Sequence, residues 1–337
     1  MATRTYIIAE AGVNHNGSLE TAKALVDAAA QAGADAVKFQ TFTADKLVTQ
    51  TAEKAAYQQK AGAPSESQLT MLRKLELSHD AHVELIRHSE KRSIQFLTTA
   101  FDSDSADFVR SLSLPFVKVP SGEITNLPYL KAITRFGCPV ILSTGMATLG
   151  EVEVALGIIG SQGITREDIT ILHCHTDYPT RFKDANLRAM QTMAVAFPGV
   201  KVGFSDHTLG IEASIAAIAM GACLIEKHFT LDRTLPGPDH AASLEPAELT
   251  AMVKAIRNIE LALGHGRKEP TANELKIRRV ARKSIVASRP IECGEIFSIT
   301  NLCAKRPGTG ISPMHWDELV GKPAKRTYAA DELIEPQ

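Results

Sequence analysis

Several features are missing from this chain of 337 residues, and each absence excludes something. There is no excess of charge: 37 basic residues face 38 acidic ones, a net charge of -1. That balance gives no electrostatic reason to expect nucleic acid or an anionic membrane surface as a partner. There is no apolar run of ~18 residues, so no membrane-spanning helix is expected. The opening MATRTYIIAEAG reads as a strand start without the shape of a secretory signal. The five cysteines, Cys138, Cys174, Cys223, Cys293 and Cys303, form no CxxC pair. Three of them sit in apolar runs and read as reduced core residues of a cytoplasmic protein. No GxGxxG follows the first strand, which argues against a dinucleotide-binding sheet. What remains, 44 % hydrophobic and 22 % charged residues, is the composition of an ordinary globular protein with room for one large domain and a small one.

The large domain is an alternation. Apolar runs at Tyr6–Ala11, Ala36–Gln40, Ile94–Thr99, Phe116–Ser121, Pro139–Thr144, Ile169–Thr176, Val200–Ser205 and from Cys223 are each followed by a helix-period segment. The last of these segments is Pro246–Leu263, with Gly264 and Gly266 as stop signals. A long polar connection from about Thr41 to Ser78 is expected to carry short helices, because a structureless loop of that length is unusual. Eight strand-then-helix units in roughly 250 residues predict an α/β fold, a (β/α)8 TIM barrel, over residues 1–266. Residues 267–280 read as a linker that is helical over Glu269–Ala281. Residues 281–337 read as a small, mostly β domain, with β-like runs at Ser284–Ala287 and Ile291–Phe297. At about 55–60 residues its own core is small.

In such a barrel the chemistry sits where the strands end. Those ends carry Glu10, Lys38, Gln40, Thr99, Lys118, Ser121, Glu123, Ser143, Thr176, Ser205, Asp206, His207, Glu226, Lys227 and His228. Singly, each could be a solvated strand end, and Ser103, Ser121 and Ser143 could each cap a helix. A polar group on every strand instead predicts a catalytic mouth. Lys38 and Lys118 with Thr99, Ser121, Ser143 and Ser205 make a cationic, hydroxyl-rich set suited to a phosphate or carboxylate. His207 and His228 end neighbouring strands, and two neutral imidazoles side by side suit a divalent transition metal or a rim hydrogen bond. Glu10, Glu123 and Glu226 are carboxylates for proton transfer or for sugar hydroxyls.

The motifs IIAEAGVNHNGS, DAVKFQT, KVPSGE, ILSTGM, HCHTDYPT, GFSDHTLG, IEKHFTLDRTLPGPDH and KRPGTGISP together resemble the sialic acid synthases, the nonulosonate synthases, from end to end. The C-terminal piece is similar to the antifreeze-like (SAF) domain of that family. The resemblance implies condensation of phosphoenolpyruvate with an open-chain N-acylated hexosamine and water, by C–O cleavage. N-acetylmannosamine would give N-acetylneuraminate. The alternatives are 2,4-diacetamido-2,4,6-trideoxymannose, giving N,N'-diacetyllegionaminate, and the pseudaminate precursor.

Carried onto this sequence, the resemblance puts phosphoenolpyruvate on Lys38, Thr99, Lys118, Ser121, Ser143 and Ser205. It puts Mn²⁺, or Mg²⁺ or Co²⁺, on His207 and His228. It puts the sugar on Gln40, Glu123, Thr176, Tyr178 and Asp239, with Arg306 from the small domain of a partner subunit, in a homodimer with exchanged C-terminal domains. Glu10 and Glu226 would move protons. His175 and Thr176 stand where relatives often have Thr and Asn, and Ala100 where many have Pro. Two other barrel chemistries compete: a Schiff-base aldolase on Lys38, Lys118 or Lys227, and a condensation with a phosphorylated aldose, which would need a second basic cluster. A non-enzymatic reading makes the small domain an ice- or glycan-binding module and the barrel its scaffold.

Overall fold

The computed structural model describes residues 4–61, 66–135 and 137–336. The chain divides between His265 and Gly266 into two compact units.

The first unit contains eight parallel strands: β1 (Tyr6–Gly12), β2 (Ala36–Thr41), β3 (Gln95–Ala100), β4 (Val117–Val119), β5 (Val140–Ser143), β6 (Ile169–Cys174), β7 (Lys201–Asp206) and β8 (Leu224–His228). Their hydrogen-bonded order is β3-β2-β1-β8-β7-β6-β5-β4. The first and last members of that order, β3 and β4, pack side by side and bring the sheet round into a nearly closed barrel. The helices are α1 (Leu19–Ala32), α2 (Ala44–Leu47), α3 (Ala56–Ala61), α4 (Gln68–Arg73), α5 (His79–Lys91), α6 (Ser103–Ser111), α7 (Leu127–Thr134), α8 (Leu149–Ser161), α9 (Arg188–Ala196), α10 (Glu212–Ala219) and α11 (Pro246–Leu263). The polar connection after β2 therefore holds three short helices, α2 to α4, as its length predicts.

Local chemistry sets the helix limits. Ser18 caps α1 by accepting from the Thr21 amide at 3.2 Å, and Gly33 closes it at φ 80°. Between these caps, Ala22, Leu25, Val26 and Ala29 recur at helical spacing and are buried against the barrel. Thr148 and Glu151 form a reciprocal capping box at the start of α8. In the strand–helix connections, the run expected from Phe116 to Ser121 is a strand for three residues only. Pro120 has no amide hydrogen to continue the ladder, and Ser121–Glu123 turns into a 3₁₀ helix.

Inside the barrel the strand period of two separates an apolar layer from a polar one. Ile8, Ala36, Leu97, Ile141, Leu172 and Leu224 pack together, with Phe116 against them. Gly203 belongs to the same level. A Cβ there would lie 2.6 Å from the Leu224 carbonyl oxygen and 2.7 Å from a Leu172 methyl, so only glycine fits. The outward-facing apolar residues of the strands pack under the helices in a separate, larger core.

The second unit contains α12 (Ala272–Ala281), the antiparallel pair β9 (Ser284–Ala287) and β10 (Leu302–Lys305), and the short α13 (Trp316–Leu319). Its core includes Ile285, Ile291, Phe297, Leu302 and Tyr328. The β-like run Ile291–Phe297 is not a strand. It is broken by a turn at Gly294 (φ 85°) and pairs through isolated bridges at Ile291 and Ile296. The segment that does pair with β9, Leu302–Lys305, is not one that the sequence pattern singles out.

Candidate active site

Two residues beyond each member of the apolar layer stands a residue of the barrel mouth: Glu10, Lys38, Thr99, Lys118, Ser143, Cys174, Ser205 and Glu226. All eight line a cavity of about 570 Å³. Seven of them are among the residues expected from strand ends. Cys174 is the exception, because the sixth strand stops at Cys174 and not at Thr176. The next inward step adds Gln40, Thr176, His207 and His228, which also line the cavity.

The floor is a buried network of two lysines and two carboxylates. Lys38 Nζ lies 2.7 Å from Glu10 Oε2 and 3.5 Å from Glu226 Oε2, and donates to Thr99 Oγ1 at 3.1 Å. Lys118 Nζ donates to Glu226 Oε1 at 3.2 Å, and the Ser205 hydroxyl donates to the same oxygen at 2.9 Å. Burial works against the charge of Glu226, but Lys118 and Lys38 outweigh it and hold that carboxyl far below its usual range. Burial pushes Glu10 up to about 7; Lys38 opposes the shift and the charge of Glu226 adds to it. Lys38 is itself raised, since Glu10 and Glu226 more than offset its burial. One carboxylate is thus fixed as an ion and the other is set to exchange a proton near neutrality, a division of labour suited to acid–base work.

One side of the mouth is a stack of rings. Tyr178 lies over His207 at 4.1 Å between centroids and meets His228 edge-on at 5.2 Å, and the two imidazoles are 5.3 Å apart. His207 Nδ1 donates to the His175 carbonyl, which leaves Nε2 as the lone-pair nitrogen. His228 Nδ1 makes no hydrogen bond and lies 3.6 Å from Asp239 Oδ2. Burial lowers His207 to about 4 and His228 well below the usual range, and it raises Asp239 to about 7. Two neutral imidazoles side by side, with His207 Nε2 meeting only Ser205 Oγ at 3.4 Å, fit a divalent transition ion. Among the described residues no third His, Cys, Asp or Glu completes such a site, so further ligands would have to come from bound molecules.

The remaining expected residues divide. Ser121 lines the cavity, accepts from the Gly145 amide at 3.0 Å and contacts Cys174 Sγ at 3.1 Å. Gly145 allows this, because a Cβ there would lie 2.8 Å from both Ser121 Oγ and a Thr176 methyl. Gln40 donates weakly to Glu10 Oε1 at 3.4 Å. Glu123 stands at the rim outside the cavity lining, accepting from Asn126 Nδ2 at 2.5 Å. Asp206 and Lys227 face away from the cavity and pair with each other at 3.0 Å, fully buried. Lys227 is therefore a structural ion pair and no Schiff-base candidate. Lys38, held protonated between two carboxylates, is a poor nucleophile as well. Among the described residues, Lys38 and Lys118 are the only Lys or Arg side chains of the cavity lining, and no second basic cluster lines it. Arg306, in the second unit, is exposed, and its Nε donates to the Ala281 carbonyl at 3.0 Å.

Sequence reasoning misses the contribution of the 41–78 connection. Tyr57 of α3 lies against Tyr178 at 5.0 Å, and Phe42, Val48, Met71, Leu72 and Leu75 line the cavity. Their signal is present as apolar residues at helical spacing over Leu69–Leu75, but nothing in that pattern says which surface they cover.

A nearly closed parallel barrel whose mouth gathers two lysines, two carboxylates and two imidazoles has the architecture of the (β/α)8 enzymes. The NeuB family model matches residues 25–268 and the SAF domain model residues 282–337. The chain belongs to the NeuB family, the nonulosonate synthases. It is 54 % identical to the N,N'-diacetyllegionaminic acid synthase of Campylobacter jejuni, over 98 % of this chain and 99 % of that one. It is 49 % identical to the enzyme of the same name from Legionella pneumophila, over 98 % and 93 %. Among solved structures, the N-acetylneuraminic acid synthetase of Leptospira borgpetersenii in complex with citrate aligns at a TM-score of 0.71 and 34 % identity, covering 82 % of this chain and 90 % of that one.

Proposed function

We propose that the protein condenses phosphoenolpyruvate with open-chain 2,4-diacetamido-2,4,6-trideoxymannose and water to give N,N'-diacetyllegionaminate and phosphate. The observation that carries the choice of acceptor is the identity of about half or more, over the full chain, with two synthases of that product. The N-acetylmannosamine expected from the sequence gives way to it.

The floor supports the donor half of the reaction. Lys38 and Lys118 hold the phosphate and carboxylate of phosphoenolpyruvate, and the hydroxyls of Thr99, Ser121, Ser143 and Ser205 complete the cradle. The new C–C bond joins the methylene carbon of phosphoenolpyruvate to the sugar's aldehyde carbon. Water supplies the oxygen at the neighbouring carbon, and phosphate leaves with the bridging oxygen. Glu226, fixed as an anion, faces the carbon that becomes electron-poor. Glu10 exchanges the proton, either with the new hydroxyl of the former aldehyde or with the attacking water. His207 and His228 would hold a divalent ion, Mn²⁺ first among the candidates, which when bound supplies Lewis-acid polarisation of the aldehyde oxygen. Gln40, Thr176, Tyr178 and Asp239 line the acceptor side, and Glu123 would reach it from the rim.

Arg306 extends the proposal to a homodimer in which the second unit of one subunit completes the site of the other. Free cysteines and the use of phosphoenolpyruvate support a cytoplasmic setting. The experiment is an assay of phosphate release with phosphoenolpyruvate, Mn²⁺ and either acceptor. Preference for the trideoxy sugar supports the reading; preference for N-acetylmannosamine returns the assignment to a neuraminate synthase.

A further inference from the structure

The cavity has two chemistries at two levels. Among the described residues, every charged side chain in its lining belongs either to the floor (Glu10, Lys38, Lys118 and Glu226) or to Asp239 beside His228. Another part of the wall is contributed largely by the connection after β2. There Val13, Phe42, Val48, Met71, Leu72 and Leu75 belong to an apolar cluster separate from the cores of the barrel. The polar side chains of this wall are uncharged and partly matched among themselves. Gln68 Nε2 donates to Gln58 Oε1 at 3.3 Å, and that oxygen also accepts from the Ala55 amide at 2.9 Å. The wall is tied to the imidazoles through rings: Tyr57 lies on Tyr178, and Tyr178 on His207.

A molecule whose reacting carbonyl lies at the floor and the imidazoles therefore projects its far carbons onto a surface whose described side chains carry no charge. A methyl or acyl group there replaces water against apolar side chains. A free hydroxyl loses its water without a fixed partner, and a phosphate would be buried without a counter-ion. We propose that this wall is the specificity element of the site, selecting an acceptor whose distal end is deoxygenated and acylated over one ending in a hydroxymethyl or phosphoryl group. The inference rests on the acceptor reading given above and assigns that choice to the connection after β2.

The test is kcat/KM for 2,4-diacetamido-2,4,6-trideoxymannose and for N-acetylmannosamine, in the full-length protein and in two variants. Met71→Gln places an amide in the wall. Val48→Thr is isosteric and adds one hydroxyl at a half-buried position, so it reports even if Met71→Gln fails to fold. An apolar pocket discriminates against an added hydroxyl by about 10–100-fold, which is the ratio expected of the unaltered protein. The ratio should fall about tenfold in Met71→Gln and about threefold in Val48→Thr, through KM for the trideoxy sugar, with KM for phosphoenolpyruvate unchanged. A preference that persists undiminished in folded variants overturns the wall and leaves the acceptor reading standing. A protein that prefers N-acetylmannosamine, or uses neither sugar, overturns both.

Discussion

Glu10 and Glu226 are the same residue type, both buried, both within 3.5 Å of Lys38 Nζ, yet they differ in charge behaviour because Glu226 also accepts hydrogen bonds from Lys118 and the Ser205 hydroxyl, whereas Lys118 acts on Glu10 only from a distance and more weakly. The difference has a pH signature. Glu10 titrates at about 7, so its carboxylate form accumulates as pH rises through neutrality. If it acts as base in the slow step, kcat rises up to about pH 7 and levels above it. Glu10→Gln should remove that limb and lower kcat by about 10²–10⁴. A variant that keeps both the rate and the limb places proton transfer elsewhere. For the imidazoles the expected outcome is separable from activity. His207→Ala and His228→Ala should each lose stoichiometric Mn²⁺ uptake, measured by metal analysis after desalting, while the circular dichroism spectrum stays that of the folded barrel. Full uptake in either variant moves the metal away from that histidine.

At the scale of elements, the period of two inside the barrel converts sequence into site. Most strands carry one apolar residue of the inner layer and, two positions on, one polar residue of the mouth; Phe116 just before β4, Gly203 on β7 and Cys174 on β6 are the variations. Gly203 shows how tight that layer is. Gly203→Ala would drive a methyl into the Leu224 carbonyl and the Leu172 side chain, and it should cost about 1–3 kcal/mol in urea unfolding. An unchanged midpoint would mean that the inner layer can yield. The strand–helix alternation makes the barrel legible in the sequence, and the polar strand ends make most of the floor legible with it. What stays hidden has physical causes. Cys174 looks like core because its polar neighbours in HCHT draw the eye to Thr176. The wall after β2 is a tertiary contact of short helices, and helical spacing does not say what a helix covers. In the second unit, Leu302–Lys305 is four residues long, too short for its alternation to stand out. Ile291–Phe297 alternates well, yet a turn at Gly294 interrupts it.

At the scale of the whole molecule the claims concern assembly and reaction. A second unit with a small core and an exposed arginine suits a composite site, and the mixing of subunits tests it. An Arg306→Ala protein and a Glu10→Gln protein, each inactive, are combined under conditions of demonstrated subunit exchange. If Arg306 serves the partner's barrel, each mixed dimer has one intact site and activity returns to a substantial fraction of the unaltered level. If the mixture stays inactive, Arg306 serves its own barrel. The reaction itself is tested most directly by phosphoenolpyruvate carrying ¹⁸O in its bridging C–O–P position, incubated with the protein, Mn²⁺ and 2,4-diacetamido-2,4,6-trideoxymannose. Mass spectrometry should find the label in the released phosphate, and a sugar acid of the mass of N,N'-diacetyllegionaminate without it. Label retained in the sugar acid, or no phosphate released with either acceptor, would contradict the account.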